Sequence, residues 1–132
     1  MKAPVVMDSS AMIAVALQER RGSVVIDHVR AHPGNCFIHA VNAFEVVTVL
    51  VRKGLAEADA WNAVTFGGVL VSEEVTETMT RFAVALKLSN KDFSLGDCHC
   101  LAFAEEMGGS LLTTEGDLAN AASKAIKAVH VK

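Results

Sequence analysis

Pro4-Val5-Val6-Met7-Asp8-Ser9-Ser10 sets the reading of the whole chain. Pro4 to Met7 is a short apolar strand that ends on a carboxylate, and Ser10 to Glu19 then places Met12, Ile13, Ala16 and Leu17 at helical spacing. The same alternation recurs downstream. Cys36 to His39 predicts a second strand, Val69 to Ser72 a third, Ser110 to Thr113 a fourth and Ala128 to Val131 a short last one. Helices are predicted over 23–31, 41–53, 56–66, 76–88, 97–107 and 117–125, with turn chemistry at His32-Pro33-Gly34-Asn35, Gly67-Gly68 and Gly108-Gly109. Strands alternating with helices predict one α/β domain over residues 1–132, with a mostly parallel central sheet covered on both faces. Such sheets bind ligands outside the carboxyl ends of their strands, so the strand ends are where chemistry is sought.

Composition agrees with a single compact domain. The chain has 132 residues, 52% hydrophobic and 20% charged, which excludes a disordered segment. The odd set of cysteines, Cys36, Cys98 and Cys100, suits free thiols in a reducing cytoplasm better than a secreted disulfide framework. Met1 to Val6 does not read as a signal peptide, and no apolar run approaches the roughly 20 residues of a membrane helix. The net charge of −3 argues against a generally basic nucleic-acid binder. With several carboxylates gathered into one metal site, however, the remainder is close to neutral, and an RNA substrate stays compatible.

Those carboxylates are the informative residues. Asp8 ends the first strand, Glu45 lies early in the helix after the second, Asp97 opens the helix before the fourth, and Glu115 and Asp117 follow the fourth directly. Two unit charges about 4 Å apart repel by about 4 kcal/mol at an effective dielectric near 20, so such a cluster calls for a cation. An all-oxygen donor set suits a hard divalent ion. Capping competes with this reading. Ser94-Leu95-Gly96-Asp97 and Thr114-Glu115-Gly116-Asp117 both fit a capping box, and Asp8 is placed to cap the first helix. Glu45 resists that explanation. It sits between Phe44 and Val46 in a helix apolar enough to be mostly buried, where a lone carboxylate is costly.

Four segments together resemble the PIN-domain family. They are Val5 to Ala11 around Asp8, Asn42-Ala43-Phe44-Glu45, Ser94 to Ala102 around Asp97, and Leu111 to Leu118, and their order spans essentially the whole chain. The chain departs from the family pattern at Glu115, where Asp or Asn is usual, and at Leu118, which replaces an aromatic; the fourth acid is thus Glu115 or Asp117. The resemblance implies a PIN-like three-layer α/β/α fold. It implies a cytoplasmic endoribonuclease dependent on Mg²⁺ or Mn²⁺, of the VapC-type toxins. Asp8 and Asp97 would be the main metal ligands, with Glu45 ligating through water or orienting the nucleophile. Ser9 or Ser10, Asn42, and Thr113 or Thr114 would support them. A cognate antitoxin and a homodimer are also implied, and the Val46 to Val51 stretch and the Ser10 to Leu17 helix are candidate surfaces for them.

Other patterns carry less. Cys98-His99-Cys100 does not face one way on a helix and lacks the spacing of a zinc site. His28 and His32 read as a solvated face. Neither glycine pair is followed by the Lys-Ser/Thr of a phosphate loop, and no Gly-x-Ser-x-Gly is present. An aspartyl-phosphate phosphotransferase needs a second acid close behind Asp8, and Ser9-Ser10 lacks it. The alternative from another class is a catalytically silent PIN-like module that binds RNA or a protein.

Overall fold

The computed structural model describes residues 2–123 and 126–132. Among them the chain alternates strands and helices in the order β1 (Val5–Met7), α1 (Ser9–Ala16), α2 (Gly22–Ala31), β2 (Cys36–His39), α3 (Ala40–Arg52), α4 (Glu57–Val64), β3 (Leu70–Ser72), α5 (Glu77–Ser89), α6 (Leu95–Met107), β4 (Ser110–Thr113), α7 (Gly116–Ala122) and β5 (Ala128–His130). The strands form one sheet in the order β3-β2-β1-β4-β5, and every pairing in it is parallel.

Period-two alternation divides the core into two layers. Val5 and Met7 of β1, Cys36 and Ile38 of β2 and Leu112 of β4 face α1, α2, α3 and α4, where they meet Met12, Val25, Val29, Val46 and Leu50. Val6 and Leu111 face the other way, against Phe103 and Leu101 of α6, Met79 of α5 and Leu118 of α7. The result is the expected three-layer α/β/α arrangement. Among the described residues no helix is long and apolar enough to cross a membrane.

The chain runs β1 to β2 to β3 outward on one side and then returns to place β4 on the other side of β1. The connection therefore reverses between β1 and β4, and the crevice beyond their carboxyl ends is the topological switch point. Asp8 and Thr114-Glu115 sit on its two sides.

Several helix ends differ from the sequence expectation. α1 stops at Ala16 rather than Glu19, because the backbone reverses through Gln18 at φ 55. α7 begins at Gly116 and is described to Ala122; Lys124 and Ala125 of the predicted helix lie outside the described residues. α6 closes where expected, on Gly108 in the left-handed conformation that glycine adopts freely. In α3 only one face is buried: Val46, Val47 and Leu50 are core, while Phe44 is 67% exposed. The apolarity of this helix thus overstates its burial: within the Val46–Val51 stretch Val46, Val47 and Leu50 are buried, while Val51 is exposed.

Candidate active site

Asp8 occupies the N-cap position of α1, yet its side chain makes no capping bond. It turns instead towards β4. Thr113 Oγ1 donates to Asp8 Oδ2 at 2.7 Å, and Ser10 Oγ donates to the same oxygen at 2.5 Å. Each hydroxyl has one proton, so the 3.2 Å approach of Ser10 to Thr113 has none left to share. Both hydroxyls also accept from the loop beyond β4: the Thr114 N–H reaches Ser10 Oγ at 3.1 Å and the Glu115 N–H reaches Thr113 Oγ1 at 3.0 Å. The acid after β1 and the loop after β4 are thereby held together across the switch point. Burial pushes the Asp8 carboxyl up, and the charge of Asp97 adds to this, while the Ser10 and Thr113 hydroxyls and the Ser9 N–H act in the opposite direction.

Glu45, half-buried on α3, is fixed in the same manner. Its Oε1 accepts from Ser9 Oγ at 2.7 Å and from Asn42 Nδ2 at 3.0 Å. Asn42 also donates to the Gly96 carbonyl at 3.0 Å, which ties α3 to the first turn of α6. The approach there is close: a Cβ at Gly96 would overlap the Glu45 carboxylate, which would have to shift. Asn42 Oδ1 is buried without a hydrogen-bond partner among the described residues.

Asp97 does cap. The Ser94 N–H donates to Asp97 Oδ2 at 3.0 Å and the Asp97 N–H donates to Ser94 Oγ at 3.1 Å, a complete capping box. The Thr114–Asp117 box does not form: α7 starts one residue later than that pattern requires, with Glu115 at the N-cap and no side-chain bond. In Asp8, Glu45 and Asp97 alike, one oxygen is pinned by neutral donors and the other takes no side-chain donor among the described residues.

Glu115 projects into a cleft of about 380 Å³ lined by Ser9, Ser10, Glu45, Thr114 and Arg21 as well. Partial burial, then the charges of Asp8, Asp97, Glu45 and Asp117, push its carboxyl up to about 7. Asp117, in the first turn of α7, lines a neighbouring cavity of about 550 Å³ with Asn90, Lys91 and Asn120. As placed, no three Asp, Glu, His or Cys side chains among the described residues form a ready-made ion site. The donor set nevertheless fits a hard divalent cation in kind, being all oxygen, with an oxygen to spare on each of three acids and a buried amide oxygen lacking a partner. Cys98 and Cys100 are buried free thiols, and His99 Nδ1 meets the Leu95 carbonyl at 2.9 Å.

The sequence model of the PIN domain matches residues 5–124. The chain belongs to the PIN-domain family. Solved structures with the same fold include the sarcin–ricin-loop-cleaving toxin VapC20 of Mycobacterium tuberculosis. It is 20% identical, with 89% of this chain and 94% of that one covered and a TM-score of 0.71. A toxin–antitoxin complex from Klebsiella pneumoniae matches at 16% identity, 87% and 89% coverage and a TM-score of 0.67. FitAB bound to a DNA fragment matches at 12% identity, 96% and 94% coverage and a TM-score of 0.64. At these identities the likeness is one of fold. Among curated proteins none matches the sequence significantly.

Two residues of this PIN domain that bear on the cleft are not legible in the sequence motifs. Gly96 reads as an unremarkable first-turn residue until Glu45 is seen against it. Arg21 reads as one of a charged pair after α1, and only the fold carries it to the loop that follows β4.

Proposed function

We propose that this PIN domain is a divalent-metal-dependent endoribonuclease and the toxin half of a toxin–antitoxin pair. The observation that carries the reading is the division of labour within the carboxylates: Asp8, Glu45 and Asp97 each give one oxygen to neutral donors and keep one without a side-chain donor, beside the switch point. Asp8 and Asp97 would hold Mg²⁺ or Mn²⁺ once their side chains rotate towards each other. We assign Glu115 as the fourth acid, supported by its place in the same cleft as Glu45. When bound, the ion supplies an activated water and stabilises charge developing on the phosphate.

The chain's own groups do the rest. Ser10 and Thr113 hold Asp8 through Oδ2, which leaves Oδ1 as the oxygen that would bind the ion. Ser9 and Asn42 fix Glu45 so that its second oxygen can orient the water that attacks phosphorus. Support for a toxin role comes from the named activity of VapC20 and the toxin–antitoxin complex that shares the fold. A protein partner also suits the apolar groove between α3 and α4, where Phe44, Val51 and Trp61 are exposed. We take that partner to be a cognate antitoxin, and we expect a homodimer in the cytoplasm, in keeping with three buried free thiols.

The test is cleavage of mixed RNA with Mg²⁺ or Mn²⁺, with EDTA as control, by the parent and by Asp97→Asn. The amide oxygen of asparagine can still accept from the Ser94 N–H, but the negative charge is gone. The variant should fold and lose most cleavage. Full cleavage by folded Asp97→Asn refutes the site, and a parent that neither cuts RNA nor gains thermal stability from Mn²⁺ is the silent module instead.

A further inference from the structure

Arg21 is the one cation lining the acidic cleft among the described residues. The reversal after α1 at Gln18 brings it there, immediately before α2. Its Nη1 donates to the Thr114 carbonyl at 3.4 Å and its Nη2 pairs with Glu19 at 3.0 Å. A guanidinium has five N–H donors, and the others have no partner among the described residues. The side chain is 41% exposed, so these donors are open to the cleft. The Thr114 carbonyl also meets His130 Nε2 at 3.2 Å, so the guanidinium rests on a loop that is itself held in place. Around it are Glu19, Glu45 and Glu115.

A polyanionic chain entering this cleft is repelled by all three acids. Beyond an ion held by the carboxylates, Arg21 is the cleft's own source of attraction. Its planar fork matches the geometry of a phosphodiester. The Glu19 pair does not preclude this, since an exposed ion pair is weak in water and leaves further donors available.

We infer that Arg21 forms a phosphate subsite, seating a phosphodiester of single-stranded RNA next to the one presented to the carboxylates; the inference rests on the ribonuclease reading above. Arg21 is then a substrate-binding residue, not merely a clamp on Thr114. The two roles separate in the salt dependence of binding. Each phosphate contact with a single strand contributes about 0.7 to the slope of log K against log salt.

The experiment is fluorescence anisotropy with a short single-stranded RNA whose linkages are phosphorothioate, which keeps the charge and resists hydrolysis. Mn²⁺ is held constant while NaCl runs from about 50 to about 200 mM, and cleavage of native RNA is followed separately. Arg21→Gln should bind more weakly with a slope shallower by about 0.7, so that the parent loses about 2.6-fold more affinity than the variant across that range. Arg21→Lys should keep the parent slope. Arg21→Met repeats the measurement with an apolar stem if the glutamine variant does not fold. An unchanged slope in a folded, neutral variant overturns the subsite, including when the melting temperature falls as a clamp alone would require. If the parent cuts RNA and the slope is unchanged, only the role of Arg21 fails. If the parent neither binds nor cuts RNA, the ribonuclease reading fails with it.

Discussion

Gly96→Ala would perturb the site without touching a carboxylate. The new methyl group would overlap the Glu45 carboxylate at its carbon and both oxygens. Glu45 cannot swing aside freely, because Ser9 and Asn42 hold its Oε1 at 2.7 and 3.0 Å. Two effects on stability oppose each other. Alanine gains up to about 1 kcal/mol over glycine within a helix, and overpacking costs about 1–3 kcal/mol. The net change should stay within about 2 kcal/mol. Unfolding entropy for a chain of 132 residues is about 0.28 kcal/mol/K, so the apparent Tm should move by no more than about 7 °C.

Metal binding should respond far more. Mn²⁺ at 100 times the parent Kd stabilises the folded state by about 2.7 kcal/mol, or about 10 °C on the same scale. Displacing Glu45 should weaken the ion about 10- to 100-fold. At the same Mn²⁺ concentration the variant then gains only about 1.4 to 0.4 kcal/mol, a shift of about 5 to 1.5 °C. Differential scanning fluorimetry with and without Mn²⁺, paired with far-UV circular dichroism, reads both quantities. A well-folded Gly96→Ala protein that keeps the full shift of about 10 °C would show that Glu45 takes no part in holding the ion.

Two further outcomes follow from the same contacts. Between the ordinary glutamate value of 4.5 and about 7, folded Glu115 keeps a proton that the unfolded chain has lost. Stability without divalent ions should therefore fall as pH rises through that window; Asp8, raised in the same direction, adds to it. Melting curves from pH 5 to 7.5 should show the fall, Glu115→Gln should reduce it, and calorimetry in buffers of different ionisation enthalpy should find protons released on Mn²⁺ uptake. A profile flat in the parent contradicts this. At the base of α3, His39 Nδ1 accepts from the Val41 N–H at 3.2 Å and its Nε2 meets the Glu74 carbonyl at 2.9 Å, so His39→Phe fills the space but loses both bonds. A lost cap and an unpaired carbonyl together cost about 2–4 kcal/mol, which urea unfolding would register; a parent-like midpoint would mean that neither bond matters.

The sheet was legible because its strands are short apolar runs separated by helices, and a parallel sheet buried on both faces needs just that pattern. Asp8, Glu45, Asp97 and Glu115 were legible as acids at strand ends or helix starts. Their division of oxygens was not. Ser10 and Thr113 converge on Asp8 from opposite sides of the switch point, 103 residues apart in the chain. Arg21 and Thr114 meet across 93 residues, and no local spacing encodes either meeting.

Capping and ion binding, which compete as explanations for a single acid in the sequence, turn out not to exclude each other. Asp97 caps α6 with one oxygen, and the same bond orients the other. The identity of the donors is the deciding point. An arginine against these acids would have compensated their charge and taken both oxygens of a carboxylate in its fork. Serine, threonine, asparagine and backbone N–H groups hold one oxygen each and compensate nothing. Asp8 is accordingly raised by burial, and Glu115 by partial burial together with four neighbouring carboxylates. A cleft built this way is oriented but electrostatically unfinished. On the proposed reading a divalent cation would complete it, and a polyanion would follow once the cation and Arg21 had turned the local field.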